Sequence, residues 1–308
     1  MRILVTGANG FVGRHLVREL KEQGHEPIAL VYGMNDKERG IPGATAVFEG
    51  EIADTKWLTG IVASQKPDAC IHLAGISFVP DGAANPGLVF SVNVMDTLSV
   101  LEAFRQAAPA ARILTISSSH VYGNKAGRAP LKESHAFAPA NHYAASKAAA
   151  DMLTLVYAKE HGMKTMTVRP YNHIGPGQSA RFVVPAFAAQ LKKIAGTGGK
   201  GRLSVGNLES MRDFMDVRDV VRAYRLLIEK GHSGEAYNLA SGKLVKVGDI
   251  LEMLMEIAEV RPDVQVDPKL YRKAAKCPLL NTAKIEKDTG WRPEITLAQS
   301  LRDIYAAV

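Results

Sequence analysis

The chain opens with an apolar run, Met1-Arg2-Ile3-Leu4-Val5-Thr6, that breaks at once into Gly7-Ala8-Asn9-Gly10-Phe11-Val12-Gly13. Residues 3–6 read as a buried strand, and 10–23 as a helix closed by Gly24. The glycine spacing G-x-x-G-x-x-G between them permits a tight turn and a close backbone approach at the helix N-terminus. Strand, glycine turn and helix in this order open a βαβ unit that seats the pyrophosphate of a dinucleotide on the helix end. Parallel strands require crossover helices, so a chain that starts this way is committed to alternating strands and helices.

The alternation continues. Residues 27–32, 46–48, 69–73, 112–117 and 164–169 read as further short apolar strands, and 88–107 and 142–161 as long helices. After Pro170 the pattern becomes irregular: 171–212 carries many Gly, Lys and Arg, with a flexible-looking stretch at 195–201. A helix-bearing unit returns over 213–229, a strand over 236–239, an amphipathic helix over 247–259, and a last helix running through Leu301. The expected fold is α/β: a Rossmann doubly wound parallel sheet with a smaller C-terminal α/β substrate-binding domain. We expect 1–170 plus 213–241 to form the dinucleotide-binding domain and 171–212 plus 242–308 the substrate-binding one.

Composition narrows the partners. With 308 residues, 46% hydrophobic and 22% charged, the chain has enough apolar side chains for a sizeable core. The net charge of +7 suits an anionic ligand, but no Lys/Arg run is interleaved with aromatics, which argues against nucleic acid. No apolar run is expected to reach membrane-spanning length, and no targeting peptide is expected ahead of the first strand. Two cysteines, Cys70 and Cys277, make neither a disulfide framework nor a zinc pattern, in keeping with a cytoplasmic protein without a metal.

The chemistry is carried by Tyr143-Ala144-Ala145-Ser146-Lys147 and by Ser117-Ser118-Ser119 at the end of an apolar strand. A tyrosine and a lysine four apart share one helix face. An ammonium beside a phenol favours phenolate, so Lys147 is expected to draw the Tyr143 pKa down toward working pH. With the glycine turn, these residues read as a nicotinamide site with a tyrosine acid/base. The second strand ends in Val31-Tyr32-Gly33, without the carboxylate that usually binds the ribose 2′-hydroxyl. Arg14, Lys37 or Arg39 can meet a 2′-phosphate, so NADP(H) is favoured and NAD(H) possible. Glu51-Ile52 is expected near the adenine and His72-Leu73-Ala74-Gly75 beside its ribose, with His72 packed rather than catalytic.

These residues resemble the extended short-chain dehydrogenase/reductase family, which acts on nucleotide sugars. The resemblance spans essentially the whole chain. It rests on the glycine motif, His72–Gly75, Asn93, Ser117 to Gly123, Tyr143 with Lys147, Arg169 to Gln178, and Arg212 to Asp219. Within the family, Asn172-His-Ile-Gly-Pro-Gly-Gln178, Val205-Gly-Asn-Leu-Glu209 and Arg212-Asp-Phe214 are similar to GDP-mannose enzymes. His72 to Pro80, Asp267 to Arg272 and Thr289-Gly-Trp-Arg-Pro293 are similar to GDP-6-deoxy-4-keto-D-mannose reductases, which make GDP-D-rhamnose. The departures are Asp96, where glycine is frequent, and Ala275, where an acid is common.

The resemblance implies catalysis by Ser118, Tyr143 and Lys147. It implies cofactor contacts from Gly7, Asn9, Gly10, Phe11, Val12, Gly13, Arg14, Glu51, Ile52, Leu73, Ala74, Gly75, Asn93 and Pro170. It implies a GDP-sugar held by Val79, Ser119, His120, Asn172, Arg181, Val205, Asn207, Arg212 and Arg272. It also implies a homodimer, or a dimer of dimers, built on helices 88–107 and 142–161. A 4-epimerase and a 4,6-dehydratase are the rivals on the same fold, and a cofactor-binding regulator without turnover is the rival of another class. Dehydratases of the family place a Glu two residues after the active-site Ser/Thr; this chain has His120 there and Ser119 between.

Overall fold

The computed structural model describes residues 1–34, 40–124, 129–272 and 277–308. Lys37, Arg39 and Ala275 lie outside these residues. Seven parallel strands form the main sheet: β1 (Arg2–Thr6), β2 (Glu26–Val31), β3 (Ala46–Glu49), β4 (Ala69–His72), β5 (Arg112–Ile116), β6 (Lys164–Pro170) and, at its far edge, Ala236–Leu239. From one edge to the other they run β3, β2, β1, β4, β5, β6 and then Ala236–Leu239. The order reverses between β1 and β4, and a doubly wound sheet binds its ligand at such a reversal.

Both faces of the sheet are covered, and the strand sequences show it. Ile3, Val5, Ala29, Val31, Ala69 and Ile71 point into one core with helix α1 (Phe11–Glu22) and helix Val217–Lys230. Leu4, Leu30 and Cys70 point the other way, against α2 (Thr55–Gln65) and Asp96–Ala107. Strands buried on two faces read as continuous apolar runs rather than as alternation.

The stretch expected as one helix over 88–107 is three joined pieces: α3 (Pro86–Phe90), a π-helical turn at Ser91–Met95, and α4 (Asp96–Ala107). This corrects the expectation about apolar runs, because Pro86–Ala107 is 22 residues long with a hydropathy of 1.4, enough by length and composition to cross a membrane. Its inward face explains the composition: Val100, Leu101 and Phe104 are core, while Asn93 and Thr97 are buried and hydrogen-bonded. Helix α5 (His142–His161) packs beside it, capped by the Asn141 side chain at one end and by Gly162 in the left-handed region at the other.

The stretch expected to be irregular holds ordered elements. Asn172–Ile174, Met211–Asp216 and Leu244–Lys246 form a three-stranded sheet, and Arg202–Val205 pairs in parallel with Asp263–Val266. Helix Val183–Gly196 packs with Val247–Ala258 and the final helix Leu297–Ala307 around a second core that includes Phe187, Leu191, Leu254 and Ile304. The tail is fastened to the first core through Trp291, 1% exposed, whose Nε1 donates to the Asp219 carbonyl at 2.9 Å.

Candidate active site

The switch point brings the glycine turn against the end of β4. Gly7 has φ +66, and a Cβ there would lie 2.9 Å from the Ala74 backbone nitrogen. Gly13, in the first turn of α1, approaches so closely that its Cβ would sit 2.3 Å from the Gly7 carbonyl oxygen. Gly10 caps α1 without a side-chain hydrogen bond, and the first turn carries no acid, so the helix end presents backbone N–H groups to an anion. Phe11 and Val12 follow, partly buried against the first core. Asn9 donates to the Tyr32 carbonyl at 3.0 Å, and Arg14 Nε donates to the Asn9 carbonyl at 3.0 Å. Tyr32, 68% exposed, stands where a carboxylate would normally select the 2′-hydroxyl. A dinucleotide fits this cradle.

Across the switch point, His72 is a packing residue. Its ring bonds to Thr6 Oγ1 at 2.7 Å and Thr97 Oγ1 at 3.1 Å, and burial pushes its pKa down to about 3. Leu73 and Ala74 line the turn beyond it, and Gly75 packs against Asn93 and Lys147. Asn93 ties this turn to α5, because Nδ2 donates to Ser146 Oγ at 2.9 Å and Oδ1 accepts from the Ile76 N–H at 2.8 Å. Pro170 is the buried last residue of β6. Glu51 is exposed after β3, while the Ile52 side chain packs on the core beneath α2. Asp96 faces this end, its pKa raised to about 6 by burial and by the Glu51 charge.

Tyr143 and Lys147 project from the first turns of α5, placed by the Asn141 cap. Lys147 is 8% exposed, and its Nζ donates to the Ile116 carbonyl at 2.9 Å. Burial lowers its pKa to about 8, so it remains mainly an ammonium at neutral pH. The Tyr143 phenol shifts upward instead of downward: burial raises its pKa, and a hydrogen bond with Ser118 opposes this. The expectation that Lys147 draws Tyr143 toward ionisation is therefore corrected. The lysine is engaged by a strand carbonyl, and the cost of burying a phenolate prevails.

Ser118 is 5% exposed and caps the short 3-10 turn Ser119–Tyr122. That turn aims Ser119 and His120 into a cavity shared with Asn172, Arg212 and Tyr171. The His120 ring meets Tyr143 edge-on at 5.9 Å, and burial, aided by the Arg212 charge, holds it neutral. Ser119 Oγ is buried with no hydrogen-bond partner among the described residues, as befits a group that meets a ligand. No carboxylate lines this cavity among the described residues.

Other expected substrate contacts lie elsewhere. The expectation for Val205 is corrected: it is 0% exposed in the second core, and its carbonyl accepts from the Asp267 N–H at 2.8 Å, so it presents no surface to a ligand. Asn207 and Arg272 come together, Nδ2 donating to the Arg272 carbonyl at 3.0 Å. The Arg272 guanidinium folds back onto the Lys269 and Tyr271 carbonyls and does not line the cavity. Val79 begins a short helix beside Tyr143, and Arg181 pairs with Asp81 on that same helix at 2.6 Å.

Sequence reasoning missed Asn141, Tyr171 and Cys277 in the cavity wall. The Asn141 signal is legible as an N-cap before an alanine-rich helix. Tyr171 and Cys277 carry no local signature. Also missed was the buried ion pair of Arg169 with Asp151, in the middle of α5, at 2.8 Å; Arg169 also donates to the Tyr122 hydroxyl.

Residues 4–304 match the GDP-mannose 4,6 dehydratase family. The chain is 37% identical to the GDP-6-deoxy-D-mannose reductase of Pseudomonas aeruginosa, over 99% of this chain and 96% of that one. The solved structure of RMD from Pseudomonas aeruginosa complexed with NADPH is 34% identical with a TM-score of 0.86, covering 99% of this chain and 98% of that one. The GDP-6-deoxy-D-talose 4-dehydrogenase of Aggregatibacter actinomycetemcomitans is 30% identical, over 88% of this chain and 85% of that one.

Proposed function

The chain belongs to the GDP-mannose 4,6 dehydratase family, and from that premise we propose that it reduces the C4 keto group of GDP-4-keto-6-deoxy-D-mannose to give GDP-D-rhamnose. One observation carries the choice of reduction over water elimination. Dehydration of a hexose needs an acid and a base beside the sugar to move protons at C5 and C6. At the two positions after Ser118 this chain offers a hydroxyl and a neutral imidazole, and no carboxylate lines the cavity among the described residues.

The nicotinamide cofactor, NADP(H) by preference and NAD(H) as the alternative, supplies the hydride when bound. Gly7, Asn9, Gly10, Phe11, Val12, Gly13 and Arg14 would hold its diphosphate end. Glu51, Ile52, Leu73, Ala74, Gly75 and Asn93 would hold its adenosine and central part, with Lys147, Tyr143 and Pro170 at its nicotinamide end. Tyr143 gives its phenolic proton to the keto oxygen, and its raised pKa keeps that proton in place until charge develops. Ser118 holds the same oxygen, as a positioned donor stabilises a developing oxyanion. Lys147, mainly cationic at neutral pH, stabilises the phenolate left behind.

Ser119, His120, Asn172 and Arg212 would grip the sugar and its diphosphate, with Val79, Arg181, Asn207 and Arg272 around them. The second core, with 171–212 and 242–308, would serve as the substrate-binding domain beside a cofactor domain of 1–170 and 213–241. We also propose a homodimer, or a dimer of dimers, in the cytoplasm. Leu88, Phe90 and Met95 are exposed beside Met152 and Val156 of α5, an apolar band of the kind that marks an interface.

The reading is tested by incubating the enzyme with GDP-mannose and NADP⁺ and weighing the products. We expect recovery of GDP-mannose. A product lighter by one water overturns reduction in favour of dehydration.

A further inference from the structure

Two segments meet through Arg181 and Asp81, and Asp81 and Phe78 have no role in the reading above. One is the short helix Val79–Ala84 with Phe78 ahead of it. It rests on the catalytic tyrosine: a Cβ on Gly82 would lie 3.4 Å from the Tyr143 backbone nitrogen. The other is the segment after Gln178 that leads into helix Val183–Gly196. Arg181 Nη2 donates to Asp81 Oδ1 at 2.6 Å. The same guanidinium lies over the Phe78 ring at 4.2 Å, and Phe78 meets Phe182 edge-on at 5.5 Å. A carboxylate, an aromatic face and an aromatic edge thus fix one arginine in a single orientation.

Stability does not explain the arrangement. The Arg181 and Asp81 side chains are 57% and 42% exposed, and an ion pair this open adds little to a fold. Only Nη2 of the guanidinium is engaged among the described residues, so the remaining N–H donors are available. A planar fork with spare donors, already ordered, is what a diphosphate binds well: it accepts in pairs, and the entropy of fixing the arginine has been lost beforehand.

We propose that Asp81 and Phe78 are positioning residues that present Arg181 to the diphosphate of the substrate. This rests on the reading of the cleft as a sugar-nucleotide site. Asp81 and Phe78 touch neither the sugar nor the cofactor; they act through the guanidinium. Because the same short helix abuts Tyr143, diphosphate capture and the wall beside the proton donor share one element.

The test is calorimetric titration of NADPH-saturated enzyme with GDP, UDP, dTDP and GMP, with KM and kcat measured in parallel. Arg181→Ala is expected to weaken GDP by roughly 10–100-fold, the range of a lost charge-assisted pair. Asp81→Asn and Phe78→Ala are each expected to weaken it by about 3–10-fold, with the loss in KM rather than kcat and NADPH affinity unchanged. Adding Asp81→Asn to Arg181→Ala is expected to cost nothing further, since positioning has no object once the arginine is gone. Asp81→Glu is expected to restore most of the loss. The proposal is overturned if Asp81→Asn binds GDP within twofold of wild type, or if its loss persists in the Arg181→Ala background. Tighter binding of UDP or dTDP with the same Asp81 dependence would support positioning and remove the guanosine assignment. Failure to bind any nucleoside diphosphate would remove both.

Discussion

At the scale of the residue, Tyr143 and Lys147 answer opposite demands. A proton donor for reduction must hold its proton at neutral pH, and burial of the phenol ensures that. Tyr143→Phe keeps the ring packing against His120 and removes the proton. Turnover is expected to fall by about 10²–10⁴-fold, with NADPH affinity near wild type by fluorescence titration. Lys147 is an expensive residue to bury. Its pKa falls from 10.5 to about 8, which places a cost on the order of 3 kcal/mol on the folded state wherever the lysine is protonated. The unfolded chain holds that proton up to about pH 10.4, so between these pKa values it binds more protons than the fold, and stability rises with pH. Lys147→Met is therefore expected to raise Tm at pH 7 and abolish turnover, with the gain in Tm shrinking from pH 8 toward pH 10. A Tm gain that is flat with pH would count against the buried cation. The Tyr143–Lys147 pairing is legible in sequence because four-residue spacing fixes a helix face. The direction of the Tyr143 shift is not, because the Ile116 carbonyl that engages Lys147 arrives from a different element.

At the scale of the element, what could be read depended on periodicity. The strands of the main sheet and the helix His142–His161 stand out as apolar runs and as a capped, Ala-rich stretch. Helix α2 went unread because Gly60 and β-branched residues blur its pattern. Helix Val183–Gly196 went unread because Pro185 in its first turn and the glycines beyond it look like a loop. The strand Arg202–Val205 is four residues long and becomes a strand only against its partner 61 residues on, Asp263–Val266, as in the pair Leu203–Val264 and its neighbours. The opposite case is Gly13, where sequence spacing and structure agree on a close approach. Gly13→Ala would drive a methyl to 2.3 Å from the Gly7 carbonyl oxygen and 2.6 Å from the Ala8 Cα. Both are backbone atoms, so the turn must shift. We expect a loss of about 1–3 kcal/mol, seen as a Tm several degrees lower, together with weakened NADPH binding. Unchanged Tm and affinity would mean that the turn is not packed as described.

At the scale of the whole molecule, the two cores meet along the C-terminal end of the main sheet. The cofactor cradle and Tyr143 come from one, and Asn172, Arg212 and Arg181 from segments bordering the other. Leu88, Phe90, Met95, Met152 and Val156 are exposed on packed helical elements and do not line the cavity. Met152→Glu is expected to convert a dimeric or tetrameric mass in light scattering to a smaller one. A wild-type monomer at micromolar concentration would refute the assembly. The central claim is the reaction, and one measurement addresses it directly. Purified enzyme is mixed with GDP-4-keto-6-deoxy-D-mannose and NADPH; absorbance of the reduced nicotinamide is followed, and the product is weighed and its C4 configuration read by NMR. The account predicts stoichiometric NADPH oxidation, a product heavier than the substrate by two hydrogens, and GDP-D-rhamnose. An unchanged absorbance with the substrate intact would contradict it.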